Sequence, residues 1–251
     1  MGRLDGRTAI VTGAARGIGA AVARQFVEQG ASVTVADVLR EEGEALARAL
    51  GARARFVRLD VTRTDHWSAA VTETEDTFGP VSVLVNNAGI LDLGSIEEQS
   101  PESFRRVLDV NLYGQWLGIH TVVPSLRRAG GGVVVNISST AGLMGYANLG
   151  AYVASKWGVR GLTKTAALEL AADGVRVCSV HPGPISTPMT AGMDDSLVAG
   201  QPLARFGRPE EVAAMTLFLA ADATYSTGSE FVIDGGATTG STLLAEGEPG
   251  E

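Results

Sequence analysis

Residues 8–30, TAIVTGAARGIGAAVARQFVEQG, change their hydrophobic period partway along. The first five form a nearly unbroken apolar and β-branched run, as expected for a strand buried on both faces. From Ile18 the apolar residues recur at helical spacing until Gly30. Gly13, Gly17 and Gly19 stand at this change of period. A strand passing through a glycine loop straight into a helix is the opening unit of many α/β folds. Glycines there permit a tight turn and close approach of a pyrophosphate, and the helix N-terminus favours an anion. The spacing is G-x-x-x-G-x-G rather than G-x-G-x-x-G, and a plain strand–helix turn would also use glycine.

The same alternation continues along the chain. Strand-like runs occur at SVTVAD (32–37), RARFVRLDV (53–61), VSVLVNNAG (81–89), GGVVVNIS (131–138), VRVCSVHPG (175–183) and SEFVIDGG (229–236), with helical patterns between them. The runs are continuous rather than alternating, which implies a parallel sheet covered by helices. The expectation is one α/β domain over 1–251, a doubly wound Rossmann-type fold of about seven parallel strands with helices on both faces. In the long helical stretch 101–130, Pro101 suits a first turn and Pro124 should kink or break the helix. The acidic tail 241–251, STLLAEGEPGE, is expected to fray or dock on a partner.

Composition narrows the class. Of 251 residues, 45% are hydrophobic and 19% charged, enough apolar material for a large core. A net charge of -8 argues against nucleic-acid binding through a basic face. The single cysteine, Cys178, excludes an internal disulfide and suits a reducing compartment. His66, His120 and His181 have no metal-ligand spacing, so no metal is expected. The N-terminus shows no leader and no segment approaches a membrane span, so a cytoplasmic location is expected.

Candidate ligand residues cluster at the carboxyl ends of the strands, where open α/β sheets bind ligands. Arg16 and Ile18 lie within the glycine loop. Asp37 closes the second strand, 18 residues after Gly19. Its carboxylate can accept from the ribose hydroxyls of NAD and would repel the 2′-phosphate of NADP. Val38 follows it, where a basic residue would favour NADP. Asp37 could equally cap the next helix. Asp60 and Val61 end the third strand and are candidates for the adenine, one as acceptor and one as packing surface. Asn87, Ala88 and Gly89 end the fourth.

Tyr152 and Lys156 stand at i and i+4 on a helical pattern, so they share a face. A lysine cation favours tyrosinate and should lower the tyrosine pKa toward a useful general acid or base. A solvated lysine beside a surface tyrosine would look the same in sequence. Ser138 and Ser139 emerge from the strand leading into that helix, and a serine hydroxyl can donate to a carbonyl oxygen that gains charge. Asn111, in the long helical stretch, could hold a water linking the lysine to solvent.

TGxxxGxG, NNAG, Asn111, Ser139 and YxxxK, in this order, resemble the short-chain dehydrogenase/reductase family over about residues 5–240. The resemblance implies hydride transfer between nicotinamide C4 and a carbonyl carbon. It assigns Ser139 to orient the substrate oxygen, Tyr152 to transfer the proton, Lys156 to bind the nicotinamide ribose and tune Tyr152, and Asn111 to support a proton relay. Ser139 is preferred to Ser138 because it precedes Tyr152 by 13 residues, the usual family interval. HPGPISTPM resembles the segment along the nicotinamide, which adds Pro182, Gly183, Ile185 and Thr187. A homotetramer is implied, packed through helices near 101–129 and 150–172 and the last strand. Within the family, ADVLREEG, NISSTAGLMG, ASKWGVRGLTK and TPMT resemble bacterial hydroxysteroid dehydrogenases and related NAD-dependent secondary-alcohol dehydrogenases. The resemblance fades over 188–206, the expected substrate lid. Met189 and Met193 there, facing Leu143 and Tyr146, would suit an apolar substrate such as a hydrophobic ketone or alcohol. Alternatives are a 3-oxoacyl-thioester reductase using NADPH and a non-catalytic dinucleotide-binding relative.

Overall fold

The structure is a computed structural model that describes residues 2–240; the expected acidic tail at 241–251 lies outside the described residues. Its chain order is β1 (Thr8–Thr12), α1 (Gly17–Glu28), β2 (Ser32–Asp37), α2 (Arg40–Leu50), β3 (Ala54–Arg58), α3 (Thr64–Phe78), β4 (Val83–Asn86), α4 (Pro101–Leu108), α5 (Gly114–Arg128), β5 (Gly132–Ile137), α6 (Gly150–Leu170), β6 (Val175–Pro182), α7 (Ser196–Ala199), α8 (Pro209–Ala221) and β7 (Glu230–Ile233). The strands form a seven-stranded sheet in the order β3-β2-β1-β4-β5-β6-β7. Every pairing is parallel.

Side chains alternate across a strand, so consecutive apolar residues feed two cores. Val11, Val85 and Val135 pack with Phe26 of α1 and Leu217 of α8 on one face. Ile10, Leu84 and Val134 pack with Trp67 of α3, Leu126 of α5 and Leu170 of α6 on the other. This is why the strands read as continuous apolar runs. Trp67 is fully buried and donates its indole N–H to the Val61 carbonyl at 3.0 Å. Trp67→Ala should therefore cost about 3–5 kcal/mol of stability, read as a lower urea midpoint.

β1 is central: the chain winds outward through β2 and β3 on one side, then through β4 to β7 on the other. The crevice between the two windings opens at the carboxyl ends of β1 and β4, which places the glycine loop and the NNAG turn together. Pro101 sits in the first turn of α4, with Ser100 capping by accepting the Ser103 N–H at 3.1 Å. Pro124 does not break the long helix, which continues to Arg128. The irregularity lies earlier, where Asp109–Tyr113 form a π-helical turn between α4 and α5. Among the described residues no helix is long and apolar enough to cross a membrane.

Candidate active site

The glycine loop is shaped by its own packing. Gly13 and Gly17 have φ of +61° and +59°, a left-handed conformation that favours glycine. A Cβ on Gly13 would lie 2.8 Å from Ala88 Cα, so β1 and the NNAG turn could not approach as they do. A Cβ on Gly19 would collide with the Gly13 carbonyl, so the packing of helix against loop requires glycine here. Asn87 completes the clamp, donating to the Thr12 and Gly13 carbonyls at 2.9 and 3.1 Å. The Thr12 hydroxyl accepts the Asn87 and Ala88 N–H groups, both at 3.0 Å. Arg16 is exposed and provides no side-chain cap to α1. The N–H groups of that first turn are thus left to receive an anion.

Asp37 makes the helix-side contact weighed from the sequence and a second contact to the glycine loop. It is buried at the end of β2 and accepts the Ala15 N–H of the glycine loop at 2.9 Å and the Leu39 N–H at 3.0 Å. The second contact leads into α2. Each oxygen retains a lone pair. Val38 beside it is half-exposed. Asp60 lies past the end of β3, not within it as the longer run suggested. Its Oδ1 accepts from the Thr62 N–H and hydroxyl at 3.0 and 2.7 Å, which leaves Oδ2 for an outside donor. Burial opposes ionisation of Asp60, but the Thr62 bonds and the charges of His66 and Arg63 outweigh it and hold the carboxyl below its usual range. Val61 is buried in the core against Gly114, so its side chain is committed to packing within the protein.

Ser138 and Ser139 point to different places. Ser138 is buried and donates to the Lys156 carbonyl at 3.2 Å, a contact within the protein. Ser139 caps a short 3-10 turn, its Oγ accepting the Ala141 N–H at 3.1 Å. That bond fixes the oxygen while leaving its hydrogen to donate. Lys156 is 3% exposed, and its Nζ donates to the Ile137 carbonyl at 2.9 Å. Burial pushes the ammonium down to about 8. The same Nζ lies 5.5 Å from the centre of the Tyr152 ring.

The tyrosine corrects one expectation. Burial pushes the Tyr152 hydroxyl above its ordinary pKa, the Ser139 hydroxyl opposes the rise and Tyr146 adds to it. Desolvation of the phenolate is the largest cause, where the i, i+4 spacing had pointed to a lowering by the lysine. Asn111 also differs from expectation. It sits in the π-helical turn, fully buried, with Oδ1 accepting the Ile90 N–H at 2.8 Å. Its amide N–H groups go to the Ile90 carbonyl at 2.9 Å and Ser155 Oγ at 3.2 Å. Both donors are consumed, so the amide braces the segment after NNAG against α6 rather than donating to a water. Any relay through this residue is left to a remaining acceptor lone pair.

Pro182 ends β6, Gly183 follows it, and Ile185 is buried in the first core. Thr187 lies beside the glycine loop, its Cγ2 3.5 Å from the Cβ position of Gly17. Tyr146 donates to Thr140 Oγ1 at 3.0 Å and Leu143 is half-buried. Met189 is 44% exposed and Met193 half-buried, and the one-turn helix α7 lies within 188–206. The far end of that segment is anchored, with Arg205 donating twice to Glu211 at the start of α8, at 2.8 and 3.0 Å.

Several supporting residues escaped the sequence reading. Gln115 donates to the same Ile137 carbonyl as Lys156, at 3.2 Å. Asn86 donates to Asn136 at 2.9 Å and Asn136 to Thr163 at 3.0 Å, a buried polar ladder beneath the site. Ser155 links Asn111 to the Tyr152 carbonyl. Polar residues in the apolar strands β4 and β5 were the available signal.

This fold and site define a dinucleotide-dependent oxidoreductase of the parallel α/β type. A family model described as enoyl-(acyl carrier protein) reductase matches residues 13–238. Over 240 residues the chain is 48% identical to a 3-alpha-(or 20-beta)-hydroxysteroid dehydrogenase of Mycobacterium tuberculosis, covering 95% of this chain and 92% of that one. It is 45% identical to a trans-4-hydroxycyclohexanecarboxylate dehydrogenase of Sinomonas cyclohexanicum, with 96% of each chain covered. It is 40% identical to an NADP-dependent (R)-specific alcohol dehydrogenase of Lentilactobacillus kefiri, covering 94% and 98%. The chain belongs to the short-chain dehydrogenase/reductase family, whose members work with a nicotinamide cofactor. The residues present fit such a group: the uncapped first turn of α1, the available lone pairs of Asp37, and a buried Lys156 with one described hydrogen bond and further N–H donors.

Proposed function

We propose that this chain is an NAD(H)-dependent oxidoreductase that interconverts a hydrophobic ketone and its secondary alcohol. The observation carrying this reading is the buried Lys156 ammonium, braced by the Ile137 carbonyl and set 5.5 Å from the Tyr152 ring. A bound nicotinamide would supply or accept the hydride at C4. In reduction, the Ser139 hydroxyl donates to the substrate oxygen and Tyr152 delivers the proton to that oxygen. Lys156 then sits beside the tyrosinate and stabilises it, while its other N–H groups hold the ribose. Oxidation runs through the same groups in reverse. Gly13, Gly17, Ile18, Gly19 and Arg16 would cradle the pyrophosphate, Asp60 and the main chain of Val61 would border the adenine, and Asn87 to Gly89, Pro182, Gly183, Ile185 and Thr187 would frame the nicotinamide side.

Preference for NAD rests on Asp37, whose carboxylate would repel a 2′-phosphate, and on Val38, which offers it no cation. Asp37→Ser with Val38→Arg should lower the NADH-to-NADPH ratio of kcat/KM by roughly 10²-fold, by removing one repulsion and adding one charge-assisted bond. Better turnover of the unaltered chain with NADPH would overturn the preference.

The substrate class rests on Leu143, Tyr146, Met189 and Met193 about a lid at 188–206, and on relatives named as hydroxysteroid and trans-4-hydroxycyclohexanecarboxylate dehydrogenases. The test is an NADH-oxidation screen of steroid, cyclic, aryl and aliphatic ketones at neutral pH, paired with the alcohols and NAD at alkaline pH. Turnover confined to 3-oxoacyl thioesters, or absent with every ketone, would refute this reading. A homotetramer is part of the proposal. Its support is the exposed stack of Tyr113, at the end of the π-helical turn, with Trp116 and His120 of α5, and exposed Trp157 on α6. Sedimentation as a monomer would count against it. The buried thiol of Cys178 suits a cytoplasmic location.

A further inference from the structure

We infer that His181 is a positioning residue for the catalytic serine, holding the Ser139 main-chain carbonyl from within the sheet. The inference rests on the reading of Ser139 as the hydroxyl that meets the substrate oxygen. His181 lies near the end of β6 and is fully buried, and the chemistry above makes no use of it. Its Nδ1 is 3.1 Å from the Ser139 carbonyl oxygen and its Nε2 is 2.9 Å from Ser179 Oγ.

These two contacts determine the tautomer. A carbonyl oxygen can only accept, so Nδ1 carries the hydrogen. Nε2 of the neutral ring then accepts from the Ser179 hydroxyl. Burial favours that neutral form, pushing His181 below its ordinary pKa. The charged groups acting on the ring are Lys156 and Arg160 from α6 and Glu230 from β7. Arg160 and Glu230 are already joined by two bonds, at 3.1 and 3.0 Å.

The segment held in this way is short. Ser139 leaves β5 and the chain passes through the 3-10 turn Thr140–Gly142. His181 holds the carbonyl at the start of this segment, and Arg160 donates to the Gly142 carbonyl at its end, at 2.9 Å. Turning the peptide after Ser139 would break the His181 bond and shift the hydroxyl relative to Tyr152. A displacement of that kind lowers the rate of the chemical step with little effect on cofactor binding.

Asparagine and glutamine separate the two nitrogens. The Asn amide nitrogen overlies Nδ1 of histidine and can keep the bond to Ser139, whereas the Gln amide reaches toward Nε2. With NADH and cyclohexanone, His181→Gln and His181→Leu should lower kcat about tenfold, with NADH affinity unchanged by fluorescence titration. His181→Asn should return kcat to within about threefold of the unaltered chain. If Leu fails to fold, the Asn and Gln pair still decides. Equal kcat in that pair overturns the inference. Ser139→Ala, run alongside, separates the two claims. Full activity in that variant defeats the reading of Ser139, whereas loss there with equal Asn and Gln rates defeats only the inference. Imidazole ¹⁵N NMR of the full chain gives an answer that holds whatever ketone is turned over. The resonance that disappears in His181→Asn should carry its proton on Nδ1, and a proton on Nε2 overturns the assignment.

Discussion

Tyr152→Phe is expected to lower kcat for ketone reduction by about 10³-fold while leaving NADH affinity within about twofold, since a positioned proton donor contributes roughly 10²–10⁴. The ring stays, so packing beside Lys156 is preserved, and only the hydroxyl, with its proton and its bond to Ser139, is lost. Tyr152 is raised by burial rather than lowered within the protein itself. It is therefore protonated over the neutral range and ready to act as the acid in reduction. In oxidation it must first lose that proton, so alcohol turnover should rise steeply toward alkaline pH. Stopped-flow hydride transfer with NADH, together with fluorescence titration of the cofactor, checks the result. Ordinary turnover by the phenylalanine variant would remove Tyr152 from the chemistry. A non-catalytic dinucleotide binder would show no turnover in either form.

Lys156→Met should damage two quantities together. The methionine stem fills the buried space but supplies no cation. It should lower kcat about 10²-fold by leaving the tyrosinate unsupported, and weaken NADH binding about tenfold by removing bonds to the ribose. A loss of kcat alone would place Lys156 with the proton transfer and not the cofactor. The pH profile offers a second reading. Burial holds the ammonium at about 8 against an ordinary 10.5. Between those values the unfolded chain binds more protons than the folded one, so this lysine makes stability rise with pH across that window. Catalysis moves the other way: ketone reduction should fall as pH passes 8 and the charge is lost. That limb should be absent in Lys156→Met, and its persistence would mean that another group titrates there.

Much of this protein was fixed by patterns that act locally. The continuous apolar runs required burial on two faces, and parallel pairing with helices on both sides is the arrangement that provides it. Residues 8–30 therefore carried both the fold class and the location of the ligand crevice, because a strand feeding a helix through glycines leaves that helix N-terminus at the sheet edge. The YxxxK spacing was legible for the same reason, as an i, i+4 pair shares a face in any helix.

What remained depends on atoms distant in sequence. Asp37 could be read as a cap or a ribose ligand; only the folded chain brings Ala15 to one oxygen and Leu39 to the other, so it is committed to the loop as well as open to a ligand. Asn111 could be assigned to the site, but its two donors were spent by Ile90 and Ser155 through a π-helical turn that no local pattern specifies. The direction of the Tyr152 shift was misjudged because spacing conveys the distance to a charge and nothing about desolvation, which is a property of everything packed around the ring. His181 was an isolated histidine in sequence and becomes informative only when β6 sets it behind Ser139, 42 residues away along the chain. The sequence determined which groups exist and on which edge of the sheet they emerge. The tertiary structure decided which of their hydrogen bonds are already taken and how dry they are, because both depend on neighbours contributed by other strands and helices.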